Sequence, residues 1–421
     1  MISQPWRVAL FLFLAAGFNY ADRAALASVI PPLRQELGAT DAQIGIAGML
    51  FLWSYAIASP LAGHLADRYS RSRLVVWSLV AWSLVTVLTG LVTSVGALFL
   101  LRLALGLAES FYLPAAVGLL GDHHGPQTRG RAMGLQVLGL NLGLVVGGTA
   151  AGLLAEHYGW RMGFWILGGL GLLLSLGAKF VLSDRPALPI GPEAGLARAT
   201  GPAAWAYLLR VRSFHCLLLS AIVAGIASWI FLSWLPLFFS ENYGMKLGAA
   251  GLAGVALYKG PAFVGIAIGG WLSDRLTRWD LRSRALIKGL SFLVSAPFLF
   301  FFIGTPTFAL VATMMVASSM IRAVGVPSEH AILCEVVPAP YRSFATGIMN
   351  TCGTAAGGLG VLLAGIFKQD LGLNLIFGAS SFLFVLAGLL MLVAYWFSME
   401  RDMARADAFA ASPPNLGFRN S

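Results

Sequence analysis

Runs of about 20 apolar residues recur from one end of this chain to the other, separated by short polar turns. They fall near residues 7–29, 43–62, 74–93, 97–120, 131–154, 163–182, 214–238, 250–270, 285–304, 306–333, 343–366 and 373–396. Each is long enough to cross roughly 30 Å of hydrocarbon as a helix. The pattern therefore predicts an all-α polytopic membrane protein with twelve spans, numbered 1 to 12 below. The first run carries Asp22 and Arg23 and continues as a spanning helix, which argues against a cleaved signal peptide.

Two segments interrupt the rhythm. Residues 183–213 place Pro186, Pro189, Pro192 and Pro202 among small and polar residues. They read as a cytoplasmic linker, with a short helix near 202–210, between a first six-helix bundle (1–182) and a second (214–398). Residues 399–421 are polar, contain Pro413-Pro414, and read as a disordered cytoplasmic tail.

The two halves repeat one another. Gly63-His64-Leu65-Ala66-Asp67-Arg68 with Arg71 after span 2 returns as Gly270-Trp271-Leu272-Ser273-Asp274-Arg275 with Arg278 after span 8. An offset of 213 residues superposes Pro114 on Pro327, Asp122 on Glu335, Arg129 on Arg342 and Gly134 on Gly347. A charged turn repeated in an apolar chain points to a duplicated membrane bundle, an architecture used by carriers. Its aspartate can face a helix dipole and accept from arginines across the turn. That makes a conformational latch of Gly63, Asp67, Arg68, Arg71 and Arg129, and of Gly270, Asp274, Arg275, Arg278 and Arg342. The competing reading is a charged loop that only sets topology. On the same offset Glu109 falls on Arg322, so one duplicated position carries opposite charges, as expected where symmetric halves share an asymmetric ligand.

Composition agrees with the spans: 58% of residues are hydrophobic and 11% charged, against about 25% charged in a soluble domain. The net charge of +10 reflects topology rather than nucleic-acid binding. Four of the 28 Lys and Arg (Arg34, Arg161, Lys246, Lys368) fall in outer segments and four (Arg23, Arg102, Lys259, Arg322) within spans. The other 20 lie in or beside segments on the side of the termini. This bias predicts that both termini are cytoplasmic. Cys216, Cys334 and Cys352 offer no disulfide framework. The chain has no nucleotide loop, metal-ligand cluster or sizeable soluble domain, which argues against an enzyme or a sensor and for no cofactor or metal. The pair His123-His124 in a cytoplasmic turn is a weak hint of metal binding; the competing reading is a solvated loop.

Ionisable groups at span centres cost roughly 2.5–3.5 kcal/mol each on insertion scales, so they mark functional positions. Asp22 and Arg23 stand in span 1, Arg102 and Glu109 in span 4, Lys259 in span 8, and Arg322 with Glu329 in span 10. Seven residues are two helical turns, so Arg102 and Glu109 share one face about 10 Å apart. Asp22 and Arg23, being consecutive, point in different directions and cannot both face one partner. A structural ion-pair quartet and a functional site both fit these four residues; two carboxylates and two arginines exceed what packing needs. The arginine fork suits a carboxylate. Tyr20, Tyr55, Tyr112, Gln136, Trp229, Tyr258, Asn350 and Thr351 complete a candidate pocket. Trp234-Leu235-Pro236 predicts a bend in span 7. For Glu329 and His330 a gate and a water-facing position account equally well. The pairs Gly147-Gly148 and Gly357-Gly358 predict close helix approach.

The twelve-span plan and both G-x-L-x-D-R turns resemble the major facilitator superfamily. Asn19-Tyr20-Ala21-Asp22-Arg23, Arg102 through Glu109-Ser110, Phe231-Leu232-Ser233-Trp234-Leu235-Pro236 and Gly347-Ile348-Met349-Asn350-Thr351-Cys352-Gly353 are similar to its anion:cation symporter family. The resemblance covers roughly residues 7–396. It implies that Asp22 and Glu109 couple protons and that Arg23 and Arg102 bind or gate an anion. Thr354 stands where members often carry a second asparagine, and Lys259 and Arg322 have no place in the general pattern. Spinster-like lipid carriers share the Asn-x-x-Asp-Arg of span 1 and an Arg/Glu arrangement in span 4.

The expectation is a proton-coupled importer of a small organic anion, a sugar acid or related carboxylate. It would work as a monomer in a bacterial inner membrane, by alternating access. Export of an amphiphile such as a lysolipid or drug is the alternative.

Overall fold

In the computed structural model, which describes residues 3–184, 202–304 and 307–411, every regular element is a helix. The first group is α1 (Gln4–Ser28), α2 (Ile30–Leu37), α3 (Asp41–Arg68), α4 (Arg71–Thr89), α5 (Val95–Ser110), α6 (Tyr112–His123), α7 (Pro126–Tyr158) and α8 (Trp160–Val181). The second is α9 (Pro202–Leu208), α10 (Arg212–Tyr243), α11 (Leu247–Lys259), α12 (Ala262–Leu276), α13 (Ser283–Ser295), α14 (Phe308–Ala323), α15 (Val326–Val336), α16 (Arg342–Phe397) and α17 (Met399–Ala411). Among the described residues, eleven helical stretches are long and apolar enough to cross a membrane. The last, Phe344–Phe397, holds spans 11 and 12, divided at Gly372 (φ 72°, ψ 154°). A side chain at that φ would be strained, so glycine makes the turn between the two spans.

Several spans are two helices rather than one, and proline marks the breaks. Pro114 follows the junction of α5 and α6, and Pro327 that of α14 and α15, at the 213-residue offset. Pro31-Pro32 opens α2, and Pro261 separates α11 from α12. Proline has no N–H and clashes with the carbonyl four residues back, so each break is local chemistry. The first break sets Glu109 in the last turn of α5, and its duplicate sets Arg322 in the last turn of α14. By contrast α10 runs unbroken through Pro236.

The chain packs as two compact units. One holds residues 1–190, 228–260 and 354–377; the other holds 191–227, 261–353 and 378–421. Residues 228–260 and 354–377, which sequence groups with the second bundle, thus pack among the helices of the first unit. Within that unit α7 lies against α1 so closely that a Cβ on Gly143 would stand 2.1 Å from the Gly17 carbonyl oxygen. One on Gly147 would stand 2.3 Å from Ala21 Cα. Such small-residue contacts let helix backbones meet where lipid supplies no hydrophobic drive. Farther along α7, the Glu156 carboxylate accepts from Gly248 N (2.7 Å) and caps α11. Also in this unit, Arg34, Asp41, Glu241 and Lys368 form a closed ring. Its ion pairs are Arg34–Asp41 (2.6 Å), Arg34–Glu241 (3.5 Å), Lys368–Asp41 (3.1 Å) and Lys368–Glu241 (2.9 Å).

In the second unit a buried cluster joins α9, α10, α15, α16 and α17 around Leu208, Phe214, Ile332, Val336, Met391 and Met399. The segment expected to be a disordered tail is therefore helical over Met399–Ala411 and tied down. Asp402, 1% exposed, accepts from Ser213 N (2.8 Å), and Ser213 and Ser398 hydroxyls meet at 2.9 Å. An acidic cap on the first turn of α10 stabilises it. The expected short helix near 202–210 is α9; most of the linker (185–201) and the end of the tail (412–421) lie outside the described residues.

Candidate functional site

The ionisable residues of spans 1 and 4 come together. Arg23 extends from α1 to α5, where its Nε and a terminal nitrogen both lie 2.8 Å from Glu109 Oε2. It also reaches Asn19 Oδ1 at 3.4 Å, one turn back on its own helix. Its guanidinium is centred 4.4 Å from the Tyr20 ring, 4.7 Å from Tyr55 and 5.1 Å from Phe51. An aromatic box of this kind favours a desolvated cation. Asp22 turns the other way, as consecutive residues must, and accepts from Thr86 Oγ1 of α4 at 2.7 Å. The paired reading of the quartet thus holds for Arg23 with Glu109 alone.

Arg102 is the exception. It is 3% exposed, lies 4.7 Å over the Phe51 ring, and makes no hydrogen bond or ion pair with the described residues. Its Nε is buried without an acceptor, and so are Glu109 Oε1 and Asn19 Nδ2. Asp22 and Glu109 act on it only through space.

Arg23 and Arg102 line one cavity of the first unit with Leu26, Ala27, Ile30, Ile44, Gly48, Phe51, Leu52, Trp229, Leu232, Ser233, Trp234 and Val361. Gly357 makes room for the Trp229 indole; a Cβ there would sit 2.1 Å from the ring. Trp234 Nε1 donates to the Val361 carbonyl at 3.2 Å, so its one donor is already used.

The other expected pocket residues scatter. Tyr112 donates to the Leu12 carbonyl (2.7 Å) and accepts from Gln136 (2.8 Å), which ties α6 and α7 to α1. Tyr258 stacks on Phe231, 5.6 Å between centroids, with the Lys259 ammonium 5.3 Å from the Tyr258 ring. Arg322, Asn350 and Thr351 belong to the second unit, Arg322 lying 5.3 Å over the Phe384 ring and Asn350 exposed on α16. Sequence reading passed over Phe51, which lies beneath both guanidinia; its signal was the four-residue spacing to Tyr55, which puts both rings on one face of α3. Lys288 is among the 20 charges that the sequence places in or beside cytoplasmic segments. Lys288 is 5% exposed and pairs with Glu329 at 2.5 Å, giving Glu329 a partner inside the second unit.

The charged turns show where the duplication is conserved in space. Arg71 holds both Asp122 oxygens (2.7 and 2.6 Å) and the Gly118 carbonyl (3.2 Å). The partner of Glu335, the duplicate of Asp122, is Arg284, not the Arg278 that matches Arg71 in the repeated turn. The turns repeat at an offset of 207 and the helices after them at 213, so six extra residues shift the pairing arginine from 278 to 284. Arg129 donates to the carbonyls of His124 (3.2 Å) and Gly121 (3.3 Å), and Arg342 to those of Val337 (2.9 Å) and Cys334 (2.6 Å). Both arginines cap the C-terminus of the preceding helix, where orphan carbonyls and the dipole favour a cation. Added Cβ atoms on Gly63 and Gly270 would meet nothing within 4 Å. Arg275 lies over Trp271 of its own helix (5.4 Å). Arg68 and Asp274 sit in the last turns of α3 and α12, Arg278 lies beyond α12, and the Asp67 side chain lies outside the described residues.

His124 is spanned by Thr128 Oγ1 and the Pro5 carbonyl, both at 3.1 Å, and His123 meets the Leu119 carbonyl at 2.9 Å. Among the described residues no group of three or more His, Cys, Asp or Glu could hold a metal ion. All three cysteines are free.

Comparison with known proteins follows the same line. The profile of the Major Facilitator Superfamily matches residues 12–305. The rice protein "Probable anion transporter 4, chloroplastic" is 27% identical over 87% of this chain and 64% of its own length, so the chain spans just under two thirds of that relative. The Escherichia coli "Probable L-galactonate transporter" is 28% identical over 64% of this chain and 61% of its own. The crystal structure of a bacterial homologue of the human lysosomal transporter Spinster superposes with a TM-score of 0.78 at 19% identity, covering 96% of this chain and 99% of that one. With its helical architecture and buried charges, the match over most of the chain makes this an integral membrane transporter, not an enzyme, and a member of the Major Facilitator Superfamily.

Proposed function

We propose that the chain is a proton-coupled carrier of a small organic carboxylate that works by alternating access. The observation that carries this reading is the buried Arg23–Glu109 pair beside the uncommitted Arg102. Arg102 supplies a standing positive charge for the anion. Glu109 offers Oε1, free of protein partners, as the seat of a proton. Protonation there cancels the charge that holds Arg23 and releases a second guanidinium toward the cavity. Proton and anion therefore favour each other's binding, which is the thermodynamic requirement of symport. Asp22, held by Thr86, is the second proton-coupling carboxylate. Relatives named for anion and galactonate transport support a carboxylate head group on the cargo, whatever its body.

The halves then rock about the loaded site, as duplicated carriers do. Opening at the Arg34–Asp41–Lys368–Glu241 ring requires breaking its ion pairs, while the Arg71–Asp122 and Arg284–Glu335 pairs each brace their own unit. We place both termini in the cytoplasm of a bacterial cell and the protein, as a monomer, in its inner membrane.

Uptake into proteoliposomes tests the proposal. A panel of labelled carboxylates is offered with and without an inward proton gradient. Gradient-stimulated uptake of a carboxylate supports it. Uptake indifferent to the gradient, or transport confined to neutral amphiphiles, replaces it with the exporter reading, which the largely apolar cavity lining favours.

A further inference from the structure

The cavity also says what the body of the substrate is made of. Its polar chemistry is confined to a few side chains. Arg102 is uncommitted, and Arg23 is committed to Glu109 and Asn19. The Trp234 indole N–H is spent on a backbone carbonyl. That leaves the Ser233 hydroxyl and the Trp229 indole N–H; the rest of the lining is aliphatic, glycine or Phe51. Among the described residues, no carboxylate or side-chain amide lines it.

A hexonate brings a hydroxyl on nearly every carbon. Each would leave water for a wall with almost nothing to accept its proton, and desolvated hydroxyls without partners oppose binding. A carboxylate carried on an aryl or alkyl body meets the wall on its own terms. Its head pairs with Arg102 through the planar fork, and its body covers the indole and phenyl faces. Sites built to hold polyols line up acceptors for them, and loss of such pairing is what gives them discrimination. Here the discrimination runs the other way.

From this lining we infer that the substrate class of the site is a monocarboxylate with an apolar, preferably flat, body rather than a polyhydroxylated sugar acid. The inference rests on the proposed anion site but not on proton coupling. Arg102, buried and without an ion partner, selects the carboxylate; Phe51 and Trp229 select the body.

Equilibrium binding to the purified full-length protein tests it without a gradient, so its failure is separable from failure of symport. The probes are 3-phenylpropionate, gluconate and the neutral 3-phenylpropionamide, titrated calorimetrically. The expected result is 3-phenylpropionate bound at least about 10-fold more tightly than either of the others, the discrimination typical of a few buried apolar contacts. Arg102→Gln should remove that preference over the amide, and Arg102→Lys, which keeps the charge, should restore part of it. Trp229→Ala should weaken 3-phenylpropionate while leaving gluconate unchanged, which loss of folding would not do. Gluconate bound as tightly as 3-phenylpropionate would overturn the inference. So would equal binding of the amide, which would mean that apolar contact alone drives association, or no binding of 3-phenylpropionate at millimolar concentration.

Discussion

Arg23 and Glu109 stand 86 residues apart in sequence and 2.8 Å apart in the fold, with side chains 6% and 0% exposed. Such a pair contributes little net stability, because the desolvation of two ions offsets their attraction, yet breaking it from one side strands a buried charge. Arg23→Met should therefore destabilise the protein by about 3–5 kcal/mol, and the Arg23→Met/Glu109→Leu double variant should recover most of that loss. Thermal unfolding in detergent checks it; additive losses in the double variant would mean that the two side chains do not share one interaction.

Glu109→Gln keeps the shape of the site and fixes it in the neutral form. Gradient-driven uptake should be lost while counterflow exchange persists. Driven uptake at the level of the parent protein would remove Glu109 from the coupling step.

The duplicated braces make a sharper test of the fold. Arg284→Ala should cost about 1.5–3 kcal/mol by leaving Glu335 without its charged donor, as Arg71→Ala should through Asp122. Arg278→Ala, which sequence alignment of the two turns would rank equal to Arg71→Ala, should stay within about 0.5 kcal/mol. Equal effects of Arg278 and Arg284 would contradict the 213-residue register.

Glycines divide in the same way. Gly143→Ala drives a Cβ against the Gly17 carbonyl and should cost about 1–3 kcal/mol or more. Gly63→Ala meets open space in a helix interior and should stabilise this state by roughly 0.5–1 kcal/mol. Side-by-side melting curves decide both.

The first turn of α4 gives a pH dependence. Burial pushes the Asp184 carboxyl up, but hydrogen bonds from the Ser70 hydroxyl and from the backbone and hydroxyl of Ser72, with Arg73 nearby, outweigh it and hold the group below its ordinary value. A group whose folded pKa is depressed adds stability above its unfolded pKa, near 4, and loses it as the pH falls through the lower folded value. Asp184 is exposed, so the contribution is at most about 1 kcal/mol. Asp184→Asn should lower the melting temperature slightly at pH 7, and the difference should shrink as the pH falls below about 4.

Much of this molecule is legible in one dimension. Apolar run length alone gives the spans, because lipid demands roughly 20 consecutive apolar residues and an internally satisfied backbone. The cost of charge in hydrocarbon singles out Asp22, Arg23, Arg102 and Glu109, whereas the helix breaks at Pro114 and Pro327 fall inside runs that the apolar pattern reads as single spans. Pairing was not legible. That Arg23 takes Glu109 while Arg102 is left uncommitted depends on how α1, α3 and α5 rotate against one another, which the spacing of charges within each helix does not specify. For the same reason Tyr112 and Gln136, plausible pocket residues by type, became internal ties, and Lys288 became a buried partner of Glu329. The shift from Arg278 to Arg284 arose in a loop, where length is tolerated and register is reset by the next packed helix. Sequence by itself determined which residues must be satisfied; tertiary packing decided by whom, because partners in a bundle come from different helices.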